Sequence, residues 1–190
     1  MVSMARPFLA DPEFVLKAQE NRADEINTCI ACNQACLDHV FSGLMTSCLV
    51  NPRACHETEL HIVATTNSKK IAVVGAGPAG LSAATTAASR GHQVTLFDSA
   101  GEIGGQFNIA KQIPGKEEFH ETIRYFSKQL SLTGIIPSSF SFVMVVGVDV
   151  KLGHDATAQD LVEFDSVVIA TGMCYRWIVM LVMYRRCCSA

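Results

Sequence analysis

The apolar and polar positions divide the chain into two unlike halves that meet near residue 68. From Lys70 the chain reads Ile71-Ala72-Val73-Val74, an unbroken apolar run of the kind seen in parallel strands buried on both faces. A small-residue helix is predicted from about Ala79 to Arg90, and Gly91 is placed to end it in the left-handed conformation. Gln93-Val94-Thr95-Leu96-Phe97 is a second strand with Asp98 at its carboxyl end. Phe119, Ile123, Phe126 and Leu130 step by four, three and four, which predicts a helix over 117–130 with one apolar face. Thr157-Ala158-Gln159-Asp160 has the form of a helix start, with Thr157 as the cap and Asp160 near the third position. Ser166 to Ile169 predicts a last buried strand that runs on through Ala170-Thr171-Gly172. Strands alternating with helices make the class α/β.

The first half lacks that order. Asp11-Pro12-Glu13 predicts a helix start, with Asp11 as cap and Pro12 at the first helical position, and the helix fades near Asn21. Residues 22–62 show little periodicity, and Asn51-Pro52 marks a turn. Five of the eight cysteines fall between Cys29 and Cys55. Thr65-Thr66-Asn67-Ser68 is a polar linker and a natural boundary.

With 190 residues and 49% apolar content, the chain supports one domain with an appendage. The net charge of −3 and the absence of a basic stripe argue against nucleic-acid binding. The most apolar runs, Phe140 to Val148 and Trp177 to Tyr184, fall far short of the roughly 20 residues a membrane helix needs, so no membrane partner is expected. Met1 to Ala10 carries no charged start followed by a long apolar core, and a cytoplasmic location is expected. In that compartment clustered cysteines favour metal binding over disulfides.

The clustered thiols are spaced C-x2-C-x3-C-x11-C through Cys29, Cys32, Cys36 and Cys48. Three thiolates within eight residues wrap one side of a compact inorganic cube, and the fourth closes it after a loop. This favours four-cysteine ligation of an iron–sulfur cluster. The rivals are zinc, which usually takes two separated C-x2-C knuckles, and plain buried thiols. His39 and His56 lie close enough in sequence to enter a zinc reading. Cys55 falls outside the cage and is expected to be a buried thiol, while Cys174, Cys187 and Cys188 show no ligand spacing.

Gly75-Ala76-Gly77-Pro78-Ala79-Gly80 is a G-x-G-x-x-G turn that follows a strand and opens a helix, with Asp98 standing 18 residues after Gly80. Gly75 permits the tight turn, Gly77 lets backbone approach a pyrophosphate, and Gly80 lets the helix pack against the strand. The helix N-terminus, through Pro78 and Ala79, would face the phosphates. An acid at position 98 suits FAD, ADP or NAD better than a 2′-phosphate. The rival is a glycine-rich turn in an unrelated α/β protein. Gly101-Glu102-Ile103-Gly104-Gly105-Gln106, just past the second strand, lets the chain pass close to a cofactor.

Residues from about Met4 to Gly134 resemble the iron–sulfur flavoproteins related to trimethylamine dehydrogenase and old yellow enzyme, in particular the bacterial 2,4-dienoyl-CoA reductases. The stretches that carry the resemblance are Ala5-Arg6-Pro7-Phe8-Leu9-Ala10-Asp11, Asn27 to Asp38, Ser47 to Cys55 and Gly104 to Phe119. The resemblance implies an FMN-binding (β/α)8 barrel, a 4Fe-4S linker, and an FAD domain with an inserted NADPH domain. It implies that electrons run from NADPH to FAD, through the cluster to FMN, and on to a dienoyl thioester in unsaturated fatty acid breakdown. On that pattern Cys29, Cys32, Cys36 and Cys48 ligate the cluster. Gly75, Gly77, Pro78, Ala79, Gly80 and Asp98 hold the ADP half of FAD, although some relatives bind ADP alone. Gly105 and Gln106 lie near the same flavin, and Arg6 faces the FMN phosphate. Ala170-Thr171-Gly172 resembles a later element of the two-dinucleotide flavoproteins.

The expected division is therefore 1–21, the C-terminal remnant of a TIM barrel; 22–64, the loop-rich iron–sulfur segment; 69–173, an incomplete Rossmann-like FAD/NAD(P)-binding βαβ domain; and 174–190, an unassigned tail. Most of the barrel and the NADPH domain have no counterpart in these residues, and the match breaks over 137–150 and again after Met173. The expectation is a fragment with reading-frame slips near Pro137 and after Met173. It would carry the relay and not the reacting site, and would be poorly soluble because its apolar sheet surface lacks partners. An amine dehydrogenase, an enoate reductase and a non-catalytic nucleotide-binding or electron-transfer module are the alternatives.

Overall fold

The computed structural model describes residues 1–133 and 147–172. The elements are α1 (Arg6–Ala10), α2 (Phe14–Gln19), a 3-10 turn (Ala23–Glu25), a π turn (Gln34–Asp38), α3 (His39–Phe41), β1 (Lys70–Val74), α4 (Pro78–Ser89), β2 (Gln93–Asp98), α5 (Phe107–Ala110), α6 (Phe119–Leu132), β3 (Val148–Leu152) and β4 (Ser166–Ile169). The four strands form one parallel sheet in the order β3-β2-β1-β4.

The core lies between the sheet and α4. Val73, Ala76, Leu81, Ala84, Ala88, Val94 and Leu96 are buried together, with Phe126 and Leu130 of α6 packed against them. The small residues of α4 let it lie close to β1 and β2, which is why that stretch is rich in alanine, with Leu81 as its one large apolar residue. All four apolar positions predicted for α6 find partners. Phe119 stacks on Phe107 at 4.6 Å between ring centroids, and Ile123 reaches the Gly104 turn. The helix itself runs Phe119–Leu132, two residues later than predicted at each end.

On the same helix, Thr122 is 3% exposed and its hydroxyl has no hydrogen-bond partner among the described residues. A buried polar atom without a partner costs about 1 kcal/mol or more. Thr122→Val keeps the shape and removes that atom. It is expected to raise the urea unfolding free energy of the chain by about 1 kcal/mol.

Four expectations need correction. The second helix starts at Phe14, not beside Asp11. The Asp11 carboxylate accepts from the Glu13 N–H at 3.0 Å, the local bond of a cap, while its other oxygen is drawn inward by the backbone N–H of Asn27 and the Lys17 ammonium. Arg6–Ala10 adds a helix that the pattern did not reveal. Thr157 and Asp160 do pair, with Asp160 accepting from the Thr157 N–H and hydroxyl at 2.8 Å each, but only turns follow. The chain is tied down at Asp165, whose N–H donates to the Lys70 carbonyl and whose carboxylate accepts from the Lys70 N–H, so the segment is set by its entry into β4. Finally, β4 is not buried. It borders the described part of the sheet, and Ile169 is 76% exposed.

β3 was not foreseen, although Val148, Val150 and Leu152 alternate with Asp149 and Lys151 in the manner of an edge strand. The interruption near Pro137 and the cysteines at 174, 187 and 188 lie outside the described residues, as does the chain after Gly172. Residues 1–21 hold two short helices and no strand. Among the described residues no helix is long and apolar enough to cross a membrane.

Candidate functional site

Two sites lie on either side of the linker. The first is built by the cysteine segment. Ala31 and Asn33 take left-handed backbone conformations at φ +53° and +58°, which folds the stretch after Cys29 into a tight curl. The π turn Gln34–Asp38 then presents Cys36. The Ser47 N–H donates to the Ala35 carbonyl at 2.8 Å and brings the Cys48 limb alongside. Cys29, Cys32, Cys36 and Cys48 line one pocket, together with Arg6, Leu9 and Asn33. Burial pushes the Cys48 thiol up from its ordinary value, while the N–H groups of Val50 and Asn51 pull it down and the neighbouring Cys29 and Cys32 raise it. The sequence-predicted thiols are therefore brought together.

Among the described residues no three His, Cys, Asp or Glu side chains converge closely enough to share one metal ion. By donor chemistry alone four thiols suit either an iron–sulfur cluster or zinc. The histidines that entered the zinc reading are engaged elsewhere: His39 with the Met45 carbonyl at 2.9 Å and His56 with Glu59 at 3.3 Å. Cys55 was expected to be buried and is exposed. Its φ of +63° turns it outward, and Ala54 takes the buried position instead. Arg6 donates to Asn33 Oδ1 at 2.6 Å, which places its guanidinium at the rim of the cysteine pocket.

The second site is the turn between β1 and α4. Gly75 has φ +111°, and a Cβ there would lie 2.4 Å from the Ala170 carbonyl oxygen and 2.9 Å from the Thr171 nitrogen. The Ala170-Thr171 element thus packs directly on the turn. Gly80 is tighter still: a Cβ would sit 1.7 Å from the Gly75 oxygen. Gly80→Ala must drive α4 off β1 and is expected to cost about 3 kcal/mol or more in urea denaturation. Gly77 differs from both, since a Cβ there meets nothing within 4 Å. The space above Gly77 is open, as a cradle for backbone-bound phosphate requires. Pro78 opens α4, and Ala79 follows in its first turn.

Asp98 does more than the motif foretold. Its Oδ2 accepts from the Ala76 N–H and its Oδ1 from the Ala100 N–H at 2.7 Å, so it joins the glycine turn to the loop after β2. Each carboxylate oxygen has two lone pairs, which leaves acceptor capacity for a ribose hydroxyl. The Gly104 N–H donates to the Ala76 carbonyl at 2.8 Å, and a Cβ on Gly105 would lie 3.0 Å from Gly77 Cα. Gly105, with Gln106 beside it at the start of α5, is thereby set against the dinucleotide turn.

Arg124 on α6 joins the two sites, a role for which the sequence held no signal. Its guanidinium donates to the carbonyls of Asp24 and Ile26, the latter at 2.8 Å, and to Glu121 at 2.6 Å. Lys128 pairs with Asp24 at 2.7 Å, and that hydrogen bond holds the Asp24 carboxyl below the usual carboxylate range. The run that enters Cys29 is thus fastened to the nucleotide half.

A family model described as pyridine nucleotide-disulphide oxidoreductase matches residues 69–180, more than half of the chain. The chain belongs to this family. The parallel sheet with its glycine turn and α4 is consistent with the Rossmann-like fold of this family, whose members are oxidoreductases.

Relatives extend the likeness upstream of residue 69. A metal reductase of Desulforamulus reducens is 38% identical over 177 residues, which covers 90% of this chain and 25% of that protein. An NADH oxidase of Thermoanaerobacter brockii is 39% identical over 175 residues, with the same coverage of each. A solved 2-naphthoyl-CoA reductase complex superposes with a TM-score of 0.80 at 38% identity, covering 89% of this chain and 24% of that one. The chain spans about a quarter of the length of the relatives it matches. The likeness reaches the cysteine segment as well as the nucleotide half, so the two recur together within larger oxidoreductases.

Proposed function

We propose that this chain is the electron-relay portion of an iron–sulfur flavoprotein reductase. Residues 22–64 would form the cluster segment and 69–173 the partial FAD domain, with 1–21 the remnant of an FMN-binding barrel. The observation that carries the reading is that Cys29, Cys32, Cys36 and Cys48 line one pocket in a segment fastened to the nucleotide half through Arg124. When bound, a flavin supplies two-electron exchange and a 4Fe-4S cluster one-electron exchange, which suits transfer from NADPH toward a second flavin.

The residues of this chain hold and orient those groups. The four thiols would ligate the cluster, with Cys48 receiving the N–H groups of Val50 and Asn51. The open face of Gly77 would receive the FAD pyrophosphate at the N-terminus of α4, beside Pro78 and Ala79. Gly80 keeps that helix end in register with β1, and Asp98 would add a bond to the ribose. Gly105 and Gln106 would border the flavin. Arg6, which donates to Asn33 at the pocket rim, would face the FMN phosphate.

For the complete protein the reading is NADPH-dependent reduction of a 2,4-dienoyl-CoA. The Asn108 to Phe119 match and the likeness to a reductase of another CoA thioester support it. An amine dehydrogenase or enoate reductase would use the same relay, because the substrate site belongs to the part not spanned here. Anaerobic purification tests the relay. Flavin absorption bands with a broad shoulder near roughly 400 nm, and iron with sulfide in the protein, are expected. A colourless chain, or zinc in place of iron, would overturn it.

A further inference from the structure

The pocket walls come from two limbs separated by a long loop, Cys29 to Cys36 on one side and Cys48 on the other. Asn27 stands two residues before the first limb and is 8% exposed. Its side-chain Nδ2 donates to the Val50 carbonyl at 2.7 Å, two residues past Cys48. Its backbone N–H donates to Asp11 Oδ2 at 2.9 Å. Asp11 is 3% exposed and is itself fixed by the Lys17 ammonium at 2.7 Å and by the Glu13 N–H at 3.0 Å. On either side of Asn27, the Ile26 carbonyl is held by Arg124, and the Thr28 hydroxyl lies 3.4 Å from the same guanidinium.

We infer that Asn27 is a positioning residue of the cysteine cage, setting the separation of its two limbs before any iron arrives. The inference rests on the cluster reading above. A side-chain amide is suited to this task because it spans two limbs with one rigid group and donates to a backbone carbonyl without adding charge. The anchoring is redundant on the Asn27 side, with Asp11 and Arg124 pulling on neighbouring atoms, so the bond to Val50 sets the Cys48 limb from a fixed point, beside the bonds from Ser47 to Ala35 and from Asn51 to Leu9. Burial of both Asn27 and Asp11 removes water as a competitor, which makes the bond to Val50 hard to replace. Partners that orient metal ligands typically change metal affinity by about 10–100-fold when removed.

The test uses the full chain, stripped of iron and rebuilt anaerobically with ferrous iron and sulfide. Asn27→Asp is nearly isosteric but turns the donor into an acceptor facing the Val50 carbonyl. It is expected to slow cluster assembly about tenfold or more and to alter the electron paramagnetic resonance signature of the reduced cluster, with flavin content unchanged. Assembly at the wild-type rate with an identical signature would overturn the inference. So would equal losses of cluster and flavin, which mark a merely structural role. Hydrogen exchange of the iron-free wild-type chain gives a second reading that needs no variant. The backbone amide of Asn27, held by Asp11, is expected to exchange on the order of a hundredfold more slowly than an unstructured amide; exchange at the unstructured rate would overturn the inference by showing that Asn27 is no fixed point for its side chain to act from. Failure of the cluster reading looks different: a wild-type chain that takes up no more iron than its Cys36→Ser variant.

Discussion

Cys36→Ser is expected to strip the chain of iron while leaving its flavin. The thiolate is the ligand, and a serine hydroxyl in its place does not ionise near neutral pH. Cys36 is carried by the π turn, between the curl that holds Cys29 and Cys32 and the Ser47 bond that brings in Cys48. It is thus the central wall of the pocket, and three remaining thiols leave one corner of a cube unheld. The substitution removes no packing on which the nucleotide half depends, since the core of that half is built from β1, α4, β2 and α6. Iron per chain is expected to fall by about tenfold or more, and flavin per chain to change little. Iron content equal to that of the wild type would remove the cage assignment.

Gly77→Val has the opposite selectivity. Gly77 precedes α4 with φ −75° and ψ 177°, a backbone conformation open to any residue, and a Cβ there touches nothing within 4 Å. The empty chain therefore accepts valine with a stability change of about 1 kcal/mol or less. The added methyls occupy the space where a pyrophosphate would meet backbone N–H groups. Flavin retention is expected to drop below detection on gel filtration, with iron retained. Full flavin occupancy in this variant would remove the turn from the cofactor site. Gly75 and Gly80, whose Cβ positions collide with backbone, offer no such separation of folding from binding.

Much of this arrangement was legible in particular residues. The run Ile71–Val74, the glycine turn and Asp98 placed the βαβ opening, because buried parallel strands and phosphate turns constrain every position they use. The α6 face was readable from four apolar residues. The cysteine spacing named four thiols that line one pocket. Other features escaped for physical reasons. Helix α1 is too short to show a period. Asp11 has the look of a cap and takes the Glu13 N–H, but its second oxygen serves Lys17 and the distant Asn27, which no local pattern reveals. Cys55 and β4 were expected inside and lie outside, because exposure depends on what covers a segment and not on its own apolarity.

By itself the sequence determined the local chemistry of this oxidoreductase chain: which thiols are spaced for a cage, which glycines leave room for a phosphate, and where strands alternate with helices. These follow from spacing and backbone sterics over short stretches of chain. Only the tertiary structure decided how the two sites are joined. The bonds from Arg124 to the run before Cys29, and from Asn27 across to Val50, connect residues 98 and 23 positions apart. Contacts at such separations are chosen by the packing of whole elements, and a single arginine or asparagine leaves no period by which to read them.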